Sequence, residues 1–413
     1  MIKRYPTRCT LCGHANTLRV TLGINARQRH TFECQGCGED GVIELSLDFV
    51  DRETIEIPGL GKITGPRITD VKLENAEWTQ DEGTITNLDA TFLVPEDQLH
   101  QDGAFPWMHA MKDVVRLAED EGPRYRDIID EAGMARGIRE GIAATLKSIE
   151  LRKRGKDDLA RVQLDELTKI TGVHIQGTPD AIAIVVSAFI GKSAYGDVHT
   201  ITEQAKRAFE LSPHQFKELR AKLLADVVPD FLDRQIEVLK DYLRGYDQLS
   251  QAWFYAARGV TAEPQLQPSA RALHLVRHFY GTAFEQLSSG LVLPACLNNI
   301  LNGRQYHQFE RMDLKQYLST DKSGRARCIE ARIEFLPLWS EFDSTLRNGS
   351  HHQGLRTKQN SKYTIQYRTG DTKPWQDISY SDYLIRCNKI QICLLKLLCL
   401  QMFVFGRDAF EKA

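Results

Sequence analysis

The chain has 413 residues, 42% hydrophobic and 26% charged, which is a globular composition with room for two or three domains and excludes a disordered polymer. With 53 basic against 55 acidic side chains the formal charge is −2. No global positive field draws this surface to nucleic acid, so any polyanion site must be local.

The opening residues "MIKRYPTRCT" lack the apolar core of a secretory signal, and with nine cysteines this points to a reducing compartment. The expected location is cytoplasmic. Within residues 1–45, Cys9, Cys12, Cys34 and Cys37 form two C-x2-C pairs, each followed by a glycine, Gly13 and Gly38. Four thiolates in two tight turns match the tetrahedral preference of zinc. "TLRVTLGI" and "QRHTFE" between them read as strands. The arrangement resembles a zinc ribbon, which implies one structural Zn2+ per chain. A catalytic zinc keeps an open coordination position, and four cysteines leave none, so no catalytic metal is expected. His14 and His30 lie close enough to be alternative ligands. Arg19, Arg27, Arg29 and His30 lie on or beside the hairpin; they read equally as a nucleic-acid contact or as the solvated face of a scaffold.

Residues 46–100 alternate apolar and polar side chains between Gly and Pro breaks and read as a small β-rich segment. Over 101–230 the period becomes helical. "LRKRGK" around Arg152, Lys153 and Arg154 ends a helix before Gly155, where cations favour the carboxyl end of the dipole; capping is preferred there over a basic patch. "AIAIVVSAFIG" is a buried element of undecided type. No Gly-rich phosphate loop and no GxGxxG occur, which argues against nucleotide hydrolysis and dinucleotide chemistry.

Residues 231–413 read as a helical bundle, with Trp253, Phe254, Tyr255, Phe279 and Tyr280 at core spacing. Cys296, Cys328, Cys387, Cys393 and Cys399 read as structural thiols. The apolar run 389–405 is short for a membrane span and is interrupted by Gln391, Lys396 and Gln401; it reads as a buried helix, and no membrane partner is expected. The expected fold class is therefore mainly α with a small β-containing N-terminal part.

"LRNGSHHQG", 346–354, then stands out. An apolar helix with Ile329, Ile333, Leu336, Trp339, Phe342 and Leu346 on one stripe should end near Arg347, because Asn348-Gly349 is a turn-forming pair. In an unbroken helix Arg347 and His351 would share a face and His352 would turn away; a break at Gly349 would free either histidine to meet the arginine. From Ser344 through Gly370 there is no Asp or Glu, while Arg347, Arg356, Lys358, Lys362 and Arg368 fall there. This is a local polyanion site or a solvated loop.

Arg347-Asn348-x-x-x-His352, followed by a basic loop, a hairpin "KYTIQYRTGDTKPWQDISY", a helix start capped by Ser379 or Ser381 and a long apolar helix, resembles the HEPN superfamily over about residues 231–410. The resemblance implies a metal-independent endoribonuclease that acts as a homodimer on RNA, often in antiviral or toxin-type defence and held inactive until a trigger is sensed, with a trigger or an antitoxin protein as partner. By that likeness His352 is the general acid or base, with His351 in reserve. Arg347 holds the scissile phosphate and Asn348 positions the loop. The chemistry agrees: histidine exchanges protons near neutrality, and a planar guanidinium suits the charge on a phosphorane. Asp343 would orient Arg347 four residues on. Arg356, Lys358, Lys362 and Arg368, with Tyr363 and Tyr367, would hold RNA. The ribbon and middle region would serve as a sensor or specificity module. The rival expectation is a non-catalytic nucleic-acid-binding or scaffold protein that uses the bundle to dimerise.

Overall fold

The computed structural model describes residues 2–9, 11–21, 27–46, 48–49, 55–56, 62–64, 68–70, 83–89, 91–102, 138–191, 194–226, 228–259, 261–263, 265–269, 273–351, 354–359, 361, 363–370 and 373–406. His352 and Lys362 fall outside them, as does the side chain of Arg27. The chain is mainly α with a small β-containing N-terminal part, as expected.

Two hairpins open the fold. β1 (Ile2–Cys9) pairs with β2 (Ala15–Thr21), and β3 (Arg27–Glu33) pairs with β4 (Asp40–Ser46), so each C-x2-C sits at a hairpin tip. In the next stretch β5 (Asp48–Phe49) pairs with β6 (Ile55–Glu56), and three further strands extend the first two sheets. β7 (Lys62–Thr64) adds to β4, β8 (Ile68–Asp70) adds to β1, and β9 (Thr84–Asp89) runs parallel to β2. Tyr5, Leu18, Val20, Phe32, Ile43, Leu45 and Leu88 close one small core from both sheets. A two-residue pairing ties this part to the helices: β10 (Val94–Pro95) lies against β11 (Leu266–Gln267). Nearby, the Asp89 amide donates to Ser269 Oγ at 2.9 Å.

Helix α1 (Ile138–Lys153) buries Ile138, Ile142, Leu146 and Ile149, a stripe of three- and four-residue steps. Its end is a glycine cap: Gly155 adopts φ 66°, and the Lys156 amide reaches back to Leu151 O at 2.9 Å. Lys153 pairs with Asp233 and Arg154 with Glu150, so two cations of this basic run are matched by acids, one on another helix and one in their own. There follow α2 (Asp157–Thr171), α3 (Thr178–Ile190), α4 (Tyr195–Leu211) and α5 (Pro213–Asp226). The run of undecided type is thus helix α3.

Next come α6 (Val228–Arg244) and α7 (Tyr246–Arg258). Gly245 lies between them because Val276 Cγ1 would be 2.6 Å from any Cβ there. After α8 (Leu273–Val276), α9 (Phe279–Gly290), α10 (Val292–Leu301) and α11 (Leu314–Ser319), the apolar stripe read as one helix ending near Arg347 is broken up. It forms 3₁₀ turns at Lys322–Cys328 and Ile333–Phe335, the single turn α12 (Leu336–Trp339) and α13 (Ser344–His351). Pro337 starts α12, where its missing N–H costs nothing.

A three-stranded antiparallel sheet, β12 (Leu355–Thr357), β13 (Thr364–Tyr367) and β14 (Gln376–Ser379), leads into α14 (Tyr380–Phe405). Of the two candidate caps, Ser379 accepts the Asp382 amide at 3.0 Å. By length and apolarity α14 would cross a membrane, but 78% of its most apolar window is buried inside the protein. Two of its buried polar groups find partners on other helices: Asn388 accepts from Tyr242 at 2.7 Å, and Lys396 pairs with Asp197 at 2.6 Å. One hydrophobic core runs from Leu93 and Ile138 through Phe405, so helices of the 101–230 and 231–413 segments share it.

Candidate functional site

Two sites are built by these elements. At the first, the Gly13 and Gly38 amides close matching turns onto Cys9 O and Cys34 O, both at 2.8 Å, with φ of 72° and 76° that favour glycine. The turns bring Cys9 Sγ to 3.7 Å from Cys37 Sγ and Cys12 Sγ to 3.7 Å from Cys34 Sγ, with all four sulfurs within 4.8 Å of one another. A tetrahedral thiolate site with metal–sulfur bonds near 2.3 Å separates its sulfurs by about 3.8 Å, so the cluster fits a metal ion. At Cys34 burial opposes ionisation, but the Asn16 amide and the backbone of Cys37 and Gly36 outweigh it and bring the thiol to about 6. At Cys37 a backbone hydrogen bond at Glu39 lowers the thiol, yet burial and the three neighbouring sulfurs push it up to about 12. Thiols this crowded cannot all ionise unless a cation lies among them.

The neighbouring histidines take other roles. His14 Nε2 meets Thr84 Oγ1 at 2.9 Å. His30 is 1% exposed, and its burial holds it neutral, down to about 4. Arg19 is also buried and donates to Asn87 at 2.8 Å, while Arg29 pairs with Glu44. The expected cationic face of the ribbon is therefore reduced: Arg19 and His30 serve its interior.

The second site is α13. Asp343 caps it, its Oδ1 accepting the Thr345 and Leu346 amides at 2.8 and 3.0 Å. Its other oxygen meets Arg386 of α14 at 2.9 Å. Asp343 therefore orients the helix, and the expected pairing with Arg347 is replaced. Tyr280 Oη donates to Glu341 O at 2.7 Å, and Arg386 also pairs with Glu341, locking the helix start against α9.

Asn348-Gly349 does not end this helix, contrary to expectation. Gly349 stays helical because its small face seats the following sheet: a Cβ there would lie 3.0 Å from Tyr367 Cβ. The helix runs to His351, so Arg347 and His351 are one turn apart on one face. That face meets α9. The Arg347 Nε donates to Glu285 at 2.6 Å, and Nη2 donates to the same oxygen. One turn back along α9, the space a Cβ on Gly281 would take lies 3.1 Å from His351 Nδ1. Arg347 Nη1 also donates to Asn348 Oδ1 at 2.6 Å, so Asn348 orients the guanidinium.

Glu285 was not legible as a site residue, since it lies 62 positions before Arg347. It also binds Lys322, and although burial opposes its ionisation, these two cations hold its carboxyl below the usual range. Beyond it lies a cavity of about 490 Å³ between α1, α6 and α9, lined by Leu146, Ile149, Ile236, Gln286 and Lys322 among others.

Two cations of the acid-free stretch are paired from outside it: Glu285 serves Arg347, and Asp377 serves Lys358. Arg356 is exposed and donates to Gln366 at 3.1 Å. Arg356 and Arg368 lie over Trp375, 3.9 and 4.6 Å from the ring centroid. Tyr367 is buried in the core and unavailable to RNA, whereas Tyr363 lines a second cavity shared with Thr31, Phe32 and Gln35 of the ribbon.

Comparison of the chain with protein-family models, with curated proteins and with solved structures finds no significant match.

Proposed function

We propose that the chain is a metal-independent endoribonuclease of the HEPN type, with a structural zinc ion on Cys9, Cys12, Cys34 and Cys37. The observation that carries this reading is the shared face of Arg347 and His351 on a capped helix braced by α9, beside a basic sheet. A guanidinium with a fork of donors holds the scissile phosphate and the charge that grows on it. An imidazole one turn away removes the 2′-hydroxyl proton or protonates the 5′-oxygen, leaving a 2′,3′-cyclic phosphate and a 5′-hydroxyl. His351 has the face; His352, the next residue, fits the motif.

The pairing of Arg347 with Glu285 supports a resting form. The carboxylate occupies the fork that a phosphate would take, in keeping with an enzyme held back until a trigger or the release of an antitoxin frees it. Action as a homodimer in the cytoplasm, in bacterial antiviral or toxin-like defence with the ribbon and middle helices as sensor, belongs to the same proposal.

The same saturation of Arg347 favours a second reading: a structural ion pair in a non-catalytic RNA-binding or scaffold protein. Incubating purified protein with tRNA and mRNA, with and without chelator, separates the two. The nuclease reading expects chelator-resistant cleavage with cyclic-phosphate ends, lost in Arg347→Ala and in either His351→Ala or His352→Ala while the fold persists. Absence of cleavage by the wild type, freed from any partner, would leave the second reading.

A further inference from the structure

The sheet after α13 has two unlike faces. Register sets Leu355 opposite Tyr367 and Ile365 opposite Ile378, and Leu355, Ile365 and Tyr367 are buried in the main core. The alternate positions, with Arg356 opposite Gln366 and Gln366 opposite Asp377, face away from it. Two residues along from these lie Lys358, Arg368 and Trp375, on the same outer face. Among the described residues the face thus holds Arg356, Lys358 and Arg368 against the one acid Asp377, in a chain whose net charge is −2.

Its centre is a stack, the indole of Trp375 beneath the guanidinium groups of Arg356 and Arg368 at 3.9 and 4.6 Å. Gln366 fastens this layer, accepting from Arg356 and donating to Asp377 at 3.0 Å. A partly exposed tryptophan layered with planar cations presents successive flat surfaces on which unpaired bases stack, while the cations track the phosphates. Bases inside a duplex have no free faces to offer.

The platform is fixed to α13. Gly349 abuts Tyr367, and the Arg368 amide donates to Gly354 O at 3.0 Å. No side chain fits at Gly354, because a Cβ there would lie 2.7 Å from Arg368 O. The strand carrying Arg368 is therefore registered to the helix carrying Arg347 and His351.

We propose that the outer face of β12–β14, centred on Trp375 with Arg356, Lys358 and Arg368, binds single-stranded RNA by stacking on its bases and leads that strand to α13. The lead to α13 rests on the nuclease reading; the binding surface does not.

The test is fluorescence anisotropy with a fluorescein-labelled 20-nucleotide single-stranded RNA and its duplex, using full-length protein carrying Arg347→Ala so that the strand stays intact. Single-stranded RNA should bind at least tenfold more tightly than the duplex. Trp375→Ala should weaken it at least tenfold and Trp375→Phe should restore most of it. Arg356→Gln should flatten the slope of log affinity against log salt by about 0.7, one phosphate contact. Binding by Trp375→Ala equal to that of the parent, equal affinity for the duplex, or displacement of the RNA by equimolar polyglutamate would overturn the proposal. A wild type that binds as expected but never cleaves would sink the nuclease reading and leave the surface standing.

Discussion

Removing the charge of Glu285 tests whether its grip on Arg347 is a restraint. Glu285→Gln keeps the shape and one acceptor oxygen but removes the anion, so the two hydrogen bonds from Arg347 run from a cation to a neutral acceptor and the ion–ion attraction is lost. Hydrogen bonds to charged groups contribute about 1.5–3 kcal/mol each, and with one partner neutral each falls toward or below the low end of that range, a loss of up to about 1.5 kcal/mol each. Both side chains keep about a fifth of their exposure, 22% for Arg347 and 19% for Glu285, so water offsets part of the loss. The lower part of the range applies, a weakening of about 1–2 kcal/mol in total. At 1.4 kcal/mol per tenfold, the population with a free guanidinium rises about five- to thirtyfold. The initial rate of cleavage of a quenched fluorescent RNA, with enzyme in excess, should rise by that factor, while the melting temperature falls by no more than about 5 °C. A rate that stays level or drops in a protein that remains folded would refute the restraint and make Glu285 a supporting member of the site.

Gly281→Ala pushes on the His351 ring, 3.1 Å from the new Cβ, and should cut cleavage about tenfold if His351 is the proton carrier; an unchanged rate assigns the work to His352. Arg347→Lys keeps the charge but loses the fork, and its cleavage should fall at least about a hundredfold with little change in melting temperature, since the two cations are not equivalent at a phosphate. Elemental analysis should find one zinc per chain; Cys34→Ser should lose it and melt at a lower temperature, and retention of metal by that variant would discount the four-sulfur site. Between about pH 6.5 and 4 the unfolded chain takes up a proton at His30 that the folded chain refuses, so stability falls as pH falls through that window. The loss at pH 5 is about 2 kcal/mol, and denaturant melts at pH 7 and pH 5 should show it in the wild type and not in His30→Phe.

What could be read from the sequence was local. The two C-x2-C pairs announced their cluster because metal-ligand spacing is a property of a few adjacent residues, and Gly13 and Gly38 mark the turns that such spacing requires. The buried character of α14 followed from apolarity on every side. The turn propensity of Asn348-Gly349, by contrast, misled: the pair stays helical because Tyr367 packs on Gly349, a tertiary contact that outweighs about 1 kcal/mol of glycine propensity. Trp375 was within reach, since the alternation of the hairpin places it on the face of Gln366.

By itself the sequence determined the class of fold, the four thiols and the segment that carries Arg347 with its histidines. Only the tertiary structure decided what those residues face. Glu285 reaches Arg347 from another helix, Arg386 takes the acid that chain proximity had assigned to the arginine, and Arg19 and His30 turn inward. Charge in a linear chain reports which side chains exist, but partners are set by packing of elements far apart in sequence, and the energy of an ion pair depends on that separation and burial.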